Sequence, residues 1–455
     1  MSSPKNTSSK KTLISSRRTF LRNAALGTGG LLILPSGFLR GQNAPSNRIT
    51  VACVGVGGQG DYDSGRILDC GAQIVGICDV DRRRLETKGK RNGFKDAKQF
   101  ADYREMFDKI GKEFDAVSVS TPDHTHFTVA YQAIEMGKHV YVQKPLVHTV
   151  DQARRLTALA KRKRVITQMG NQGTSLSEIY TTKEWYEAGL FGDVSKVLAW
   201  TNRPVWKQGF NDYEAAKPAP DTLNWDLWLG CAPEMPYHPG IHPFQWRGLY
   251  SFGTGALGDM AAHVLNAAYN VLELGLPTKI EVSVSARSPI AFPNHSEVIF
   301  HFPKTAKRGP IQLTWIDGAN GDRKPKEAAR LGGQGSGSYF EASKVPFGAG
   351  EYGDPILTFP EEKLEEFKAK KIPQKYDRVP GANHYQNWID SIKANKPAIS
   401  NFEKAGIFTE IMLLGVIAQR LGRSLEYDPA RARFKGDEEA NRLLKAPKPR
   451  KGFLA

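Results

Sequence analysis

Three residues at separated positions, Lys144, Asp259 and His263, are of the types needed to oxidise an alcohol. When a hydride leaves a carbinol carbon a proton must leave its oxygen, so such a site needs a base and a group that steadies the developing alkoxide. Lys144 follows the apolar run 139–142 in Gln143-Lys144-Pro145, where an ammonium at a strand end can hold a reacting hydroxyl; a surface lysine before a turn proline has the same local sequence. Asp259 and His263 lie four apart in a helical segment from Gly255 to Leu274, stopped by Gly275 and Pro277, so they share a face. There the imidazole can take the alcohol proton while the aspartate orients it or binds a neighbouring hydroxyl; a helix-start acid and a satisfied core histidine fit the same spacing.

A hydride needs an acceptor, and the chain offers a place for a dinucleotide. The apolar run 49–54 leads directly into Gly55-Val56-Gly57-Gly58-Gln59-Gly60 and then an amphipathic segment to about Cys70. In a strand-turn-helix, glycines at this spacing permit the tight turn, the approach of backbone to a pyrophosphate, and close helix packing, while the helix start presents N–H groups to the anion. A second apolar run, 73–78, ends at Asp79, where a carboxylate can accept both ribose hydroxyls; an aspartate there, with Asp81 beside it, also suits a helix cap. Arg82, Arg83 and Arg84 suit a 2′-phosphate that Asp79 would repel, and the balance points to NAD rather than NADP.

Further strand-like runs at 116–120, 139–142 and 165–167 alternate with segments of helical length, which predicts a doubly wound parallel sheet. Ligands lie across the carboxyl ends of such strands. The predicted cofactor contacts are therefore Gly55, Gly57, Gly58, Gln59, Gly60, Asp79, Thr121, Pro122, His124, Gln143 and Lys144, with His126 starting the next helix. No metal site is expected: His124 and His126 lack a third ligand, and His238 and His242 sit among Pro236, Pro239 and Pro243, where no helix aligns them. Cys53, Cys70, Cys78 and Cys231 form no metal-spaced pair and no disulfide framework.

Beyond Gly170 the composition shifts, and all eight tryptophans lie there. Strand-like runs at 194–201, 279–286, 297–302 and 310–316, three of them without long helices between, predict one largely antiparallel sheet. The stretch 206–243, rich in Pro, Trp, Tyr and His, reads as loops over a substrate, and the glycine-rich 332–337 also reads as loop. Asn171, Gln172, Arg203 and Tyr237 are substrate contacts by position alone. The fold class is thus α/β, an N-terminal Rossmann domain followed by an α+β domain with a large, mostly antiparallel open sheet.

The formal net charge is +16, but residues 1–44 hold seven basic residues and no acidic one, leaving +9 elsewhere. The remaining basic runs at 161–164, 368–371 and 445–451 suit solvated faces and loose ends, so no nucleic-acid partner is expected. Arg17-Arg18-Thr19-Phe20-Leu21, followed by a glycine-interrupted apolar stretch from Ala24 to Leu34, has the order of a twin-arginine export signal, with cleavage near Ala44. That stretch is too short for a permanent membrane anchor. The expected organisation is a signal peptide over 1–44, the dinucleotide-binding domain over 47–169, the substrate and oligomerisation domain over 170–440, and a basic tail over 441–455.

Beyond the leader, the chain resembles the Gfo/Idh/MocA oxidoreductases through GVGGQG at 55–60, TPDHTH at 121–126, Gln143-Lys144-Pro145 where the family usually has Glu-Lys-Pro, Gly258-Asp259-Met-Ala-Ala-His263, and Asn401-Phe402-Glu403-Lys404-Ala405. The resemblance implies hydride transfer between tightly bound NAD and a sugar, polyol or sugar derivative, with Lys144, Asp259 and His263 in the roles above. It also implies a homo-oligomer joined through the C-terminal sheet. The leader implies passage through the twin-arginine translocon to a periplasmic or otherwise exported location. Some relatives instead cleave glycosides by transient ring oxidation with no net redox change, which suits a nicotinamide exported away from any recycling pool.

Overall fold

The computed structural model describes residues 48–453; the leader expected over 1–44 lies outside them. Six strands, β1 (Thr50–Val54), β2 (Gln73–Cys78), β3 (Lys98–Phe100), β4 (Ala116–Val119), β5 (His139–Val142) and β6 (Thr167–Met169), form a wholly parallel sheet in the order β3-β2-β1-β4-β5-β6. Its central strands are near-continuous apolar runs because helices cover both faces. These helices are α1 (Gln59–Asp69), α2 (Arg82–Gly89), α3 (Tyr103–Ile110), α4 (Asp123–Glu135) and α5 (Val150–Lys163). Asp81, Asp102 and Thr149 cap α2, α3 and α5 by accepting from first-turn N–H groups. The strand expected at 165–167 begins only at Thr167, because α5 continues to Lys163 and Arg164 then turns the chain with φ at 55°.

The second sheet has nine strands: β7 (Val194–Thr201), β8 (Lys279–Val284), β9 (Ser296–Phe302), β10 (Ile311–Asp317), β11 (Ser336–Ala342), β12 (Phe347–Gly350), β13 (Ile356–Thr358), β14 (Leu425–Asp428) and β15 (Arg433–Phe434). Their order is β13-β12-β11-β7-β10-β9-β8-β14-β15, antiparallel throughout except between β7 and β10. The glycine-rich stretch expected as loop is only partly so, since Ser336 and Gly337 pair with Thr201 and Trp200 in the sheet.

The helix expected over 255–274 is two, α6 (Gly255–Val264) and α7 (Asn266–Leu272), and the chain leaves it at Glu273, whose φ is 47°, before Gly275 is reached. At the break Asn266 is buried, its Oδ1 accepting from Thr174 and Asn270. Helix α8 (His384–Ala394) packs against α1, and α9 (Phe402–Leu421) runs buried between α5, α6 and strands β8 and β9. The basic run near the C-terminus is not a loose end: Arg450 donates to the Gly230 carbonyl and pairs with Asp226, while Arg104 lies over the Phe453 ring at 4.1 Å.

One buried polar knot ties α9 to the second sheet. Asp317 Oδ2 accepts from Ser296 Oγ (2.9 Å), Trp315 Nε1 (3.1 Å) and Gln419 Nε2 (2.9 Å), while its other oxygen has no partner. Burial outweighs these donors and pushes its carboxyl from 3.8 up to about 6. Between those values the native chain holds a proton that the unfolded chain has released, so stability falls as pH rises through the window. Asp317→Asn keeps the shape and the accepting oxygen but has no charge to bury. Its stability relative to the parent should therefore rise by about 2 to 3 kcal/mol between acid pH and neutrality. Urea unfolding across a pH series would show this, and a difference independent of pH would contradict it.

Candidate functional site

At the carboxyl edge of the parallel sheet, where the strand order reverses between β1 and β4, lies a cleft of about 480 Å³. Its floor is the glycine turn. Gly55 has φ at 80°, and a Cβ there would stand 2.5 Å from the Ser120 carbonyl oxygen. A Cβ on Gly60 would stand 2.0 Å from the Gly55 carbonyl oxygen, so the turn closes only with glycine at both places. Gly58 is the N-cap of α1 with no side-chain cap, and nothing lies within 4 Å of where its Cβ would be. Unlike α2, α3 and α5, α1 starts at the cleft with no side chain over its first turn; its Gly60 and Asp61 N–H groups donate to the Gly57 and Gly58 carbonyls, and the bare positive end of the helix suits a pyrophosphate.

Asp79 ends β2 on the same edge, nine-tenths buried, its carboxylate accepting from the N–H groups of Val56 (3.0 Å) and Asp81 (2.9 Å). It does not cap α2; Asp81 does. Each Asp79 oxygen keeps a lone pair for a ribose hydroxyl, and burial raises the carboxyl from its ordinary value. Gln59, Thr121, Pro122, Gln143 and Lys144 also line the cleft, as does Arg84, whose side chain lies against Gly57. The residues present fit a dinucleotide.

Lys144 extends from the end of β5 to the second α/β part, where its ammonium donates to Asp259 Oδ1 at 2.8 Å and to the Asp259 carbonyl oxygen at 2.9 Å. Arg247 Nε lies 3.6 Å from the same carboxylate oxygen. Burial alone would raise the Asp259 carboxyl, but these two cations overcome it and hold it at about 2. His263, one turn further along α6, is 6% exposed, packs on the Tyr352 ring at 4.7 Å, has no hydrogen-bond partner for Nδ1 and, unlike Lys144 and Asp259, is not among the residues that line the cleft. Burial and the Lys144 charge lower it to about 3, so the ring is neutral. The expectation that Asp259 orients His263 is corrected: the carboxylate is directed at Lys144 and Arg247.

Gln143, which stands in place of a glutamate, donates to a carboxylate of its own. Asp63 of α1, fully buried, accepts from Gln143 Nε2 (2.9 Å), Ser120 Oγ (2.6 Å), Tyr385 Oη (2.7 Å) and Gln59 Nε2 (2.8 Å), with no cation among the donors. Burial raises its carboxyl. The acid apparently lost beside Lys144 is present one layer back.

Other expected contacts lie elsewhere. His124 faces away from the cleft: α4 starts at Asp123, and its first turn directs the His124 ring into the protein, with Nε2 donating to the Trp228 carbonyl at 3.1 Å. His126 bridges the carbonyl oxygens of Thr121 and Pro145 at 2.8 Å each, joining the loops after β4 and β5. Asn171 is bound by Ser400, and Gln172 donates to Tyr385 and Tyr141, so neither reaches the cleft. Arg203 is held by Asn202, and Tyr237 packs edge-on against Trp225; neither lines the cleft.

Residues not foreseen do line it. Arg247 stacks on Trp246 (4.2 Å) and Phe244 (4.6 Å), Trp228 and His242 lie nearby, and Phe453 closes the wall from the C-terminal end. Asp123, beside the Thr254 hydroxyl at 2.7 Å, is pushed by burial to about 6. Its place in the motif after β4 was the available signal; the loop residues gave none.

Comparison with known proteins places this geometry. Residues 49–171 match an oxidoreductase family with an NAD-binding Rossmann fold, and residues 178–340 and 354–453 match that family's C-terminal alpha/beta domain. The uncharacterized oxidoreductase YdgJ of Escherichia coli is 27% identical over 297 residues, 62% of this chain and 68% of that protein. The scyllo-inositol 2-dehydrogenase (NAD(+)) of Bacillus subtilis is 26% identical over 175 residues, 38% of this chain but only 47% of its own length. The WlbA dehydrogenase of Bordetella pertussis, solved with NADH and UDP-GlcNAcA, shares the fold with a TM-score of 0.58 at 14% identity, over 84% of this chain and 98% of that one.

The Asp63 network makes a sharp demand on position 143. Gln143→Glu would set a second carboxylate about 3 Å from the first, and one of the two must then hold a proton in the native state. The variant should lose about 2 kcal/mol or more as pH rises from acid to alkaline, and Asp63→Asn in the same chain should remove that pH dependence. Melting temperatures across pH for the single and double variants decide it; equal curves for the parent and Gln143→Glu would contradict the reading.

Proposed function

Because the chain belongs to the Gfo/Idh/MocA oxidoreductase family, we propose that it exchanges a hydride between NAD and a hydroxyl-bearing carbon of a sugar, polyol or sugar derivative. The observation that carries this reading is the Lys144 ammonium. An ammonium has three N–H donors; two go to Asp259, and the third is left for a substrate oxygen in the cleft. When bound, NAD supplies the two-electron acceptor.

Lys144 donates to the carbinol oxygen and steadies negative charge on it, while Asp259 keeps the ammonium aimed. Neutral His263 takes the hydroxyl proton. Its low value in the free protein reflects burial and the lysine charge, and negative charge growing on the substrate oxygen opposes both. Trp228, Trp246 and Phe244 offer flat apolar faces for a sugar ring, with Arg247 among them. The inositol specificity of the Bacillus relative supports a polyhydroxylated substrate.

The address is part of the proposal. The twin-arginine leader takes the folded chain, with NAD on board, to the periplasm or beyond. The outer face of the nine-stranded sheet, where Leu198, Ile299, Ile316 and Tyr339 are only half-buried, joins copies of the chain.

Purified protein incubated with NAD and a panel of polyols and sugars should accumulate NADH with one of them. Lys144→Met and His263→Gln should each lower kcat about 100-fold or more; His263→Gln should keep its NAD affinity and melting temperature, whereas Lys144→Met should also lose some stability, because Asp259 keeps only Arg247 as counter-charge. Full turnover by Lys144→Met would overturn the mechanism, and aglycone release from glycosides without NADH would replace net oxidation with a closed redox cycle. Replacing both Arg17 and Arg18 by lysine should leave the uncleaved precursor inside the cell on fractionation; normal export of that variant would remove the proposed address.

A further inference from the structure

A second cavity, of about 310 Å³, lies behind the cofactor cleft. One turn of chain divides the two: Asp123 lines the cleft, and His124, the next residue, lines the second cavity. Its walls are largely apolar, built from Ile290, Phe292, Leu413, Val416, Ile417 and Leu443. No acidic residue lines it, but Arg420, Arg442 and Lys445 do.

Those three cations, whose residues are exposed, have no carboxylate partner among the described residues, and the wall they share carries no acid. Glu439, whose charge reaches Arg420, is engaged by Arg423 at 2.7 Å. Arg420 instead rests on the Tyr250 ring at 4.8 Å, and its burial there lowers its proton affinity, as for a cation short of counter-charge. Two wall residues also have buried polar atoms without protein partners, Tyr250 Oη and His124 Nδ1. Such atoms are rare in a finished interior and suit a wall that meets a ligand.

An apolar chamber with several cations and no acid favours one ligand chemistry, a negative head on an apolar body. A neutral hydrophobe would leave the charges without purpose. Two arginines and a lysine also suit phosphate, but the apolar side of the cavity needs a ligand with an apolar body, and the test separates the two. We propose that this cavity binds a small amphiphilic carboxylate, its chain against Leu413, Val416 and Ile417 and its head group among Arg420, Arg442 and Lys445.

Octanoate is the probe, titrated calorimetrically into the full chain, with octanol and octylamine as the neutral and cationic controls and inorganic phosphate as the anion without an apolar tail. Octanoate should bind with a sub-millimolar Kd, equally well when NAD saturates the protein, and both controls of the wrong charge should bind at least about tenfold more weakly. The triple variant Arg420→Gln, Arg442→Gln, Lys445→Gln changes only exposed side chains, so its melting temperature and NAD affinity should hold while octanoate affinity falls about tenfold or more. Octanol binding as tightly as octanoate, undiminished octanoate binding by the triple variant, competition between octanoate and NAD, or phosphate binding in octanoate's place would each overturn the proposal.

Discussion

A lysine ammonium on a flexible four-carbon stem is useful to a reaction only where it is held still, and the rest of this structure can be understood as what holds Lys144. Asp259 does so with two acceptors from one residue, its carboxylate and its own carbonyl, which fixes direction as well as distance. The pair joins the end of a parallel strand to the start of a helix more than a hundred residues later. Helix α9, buried along nearly its whole length between α5 and α6, keeps those two elements in register. With side chains only 16% and 18% exposed, the pair is screened less than a surface ion pair and restrained more.

Two carboxylates near this lysine have opposite histories. Asp259 faces two cations and is driven to about 2; Asp63 faces four neutral donors and is driven up by burial. The first is a standing negative charge that holds an ammonium in place. The second knits α1, β4, β5 and α8 together without placing another full charge beside the ammonium's stem. A glutamine at position 143 follows from that arrangement: with the acid already supplied from α1, the strand must contribute a donor.

The sequence conveys best what is local. Continuous apolar strands, a glycine turn and alternating helices are patterns within a few residues of themselves, so the parallel sheet and its cleft floor were legible. Strands β11 and β12 were not, because Gly337, Gly348 and Gly350 replace the side chains whose alternation would have marked them. At the start of α4 the motif identified the right turn, but successive helical residues differ by about 100° in direction, so Asp123 and not His124 faces the cleft. Trp228 and Arg247 arrive from short helical turns and Phe453 from the chain end; the stretch 206–243 marked the neighbourhood of Trp228, while nothing near Arg247 or Phe453 announces a site that only tertiary folding creates.

The chain's excess of basic residues also resolves into particular uses. Near the C-terminus, charges that composition alone would assign to a solvated end act as fasteners. Arg450 reaches Asp226 and the carbonyl of Gly230, and with Arg104 it brackets the Phe453 ring. That ring is part of the cofactor cleft's wall, so the last described turn of the polypeptide completes a site begun by its first strand. A cleft closed in this way depends on a contact, Arg104 with Phe453, between residues about 350 positions apart. Closing a loop of that length carries an entropic cost that the contact must offset. The wall made by Phe453 is therefore the part of the cleft with the least local support, and the glycine floor the part with the most.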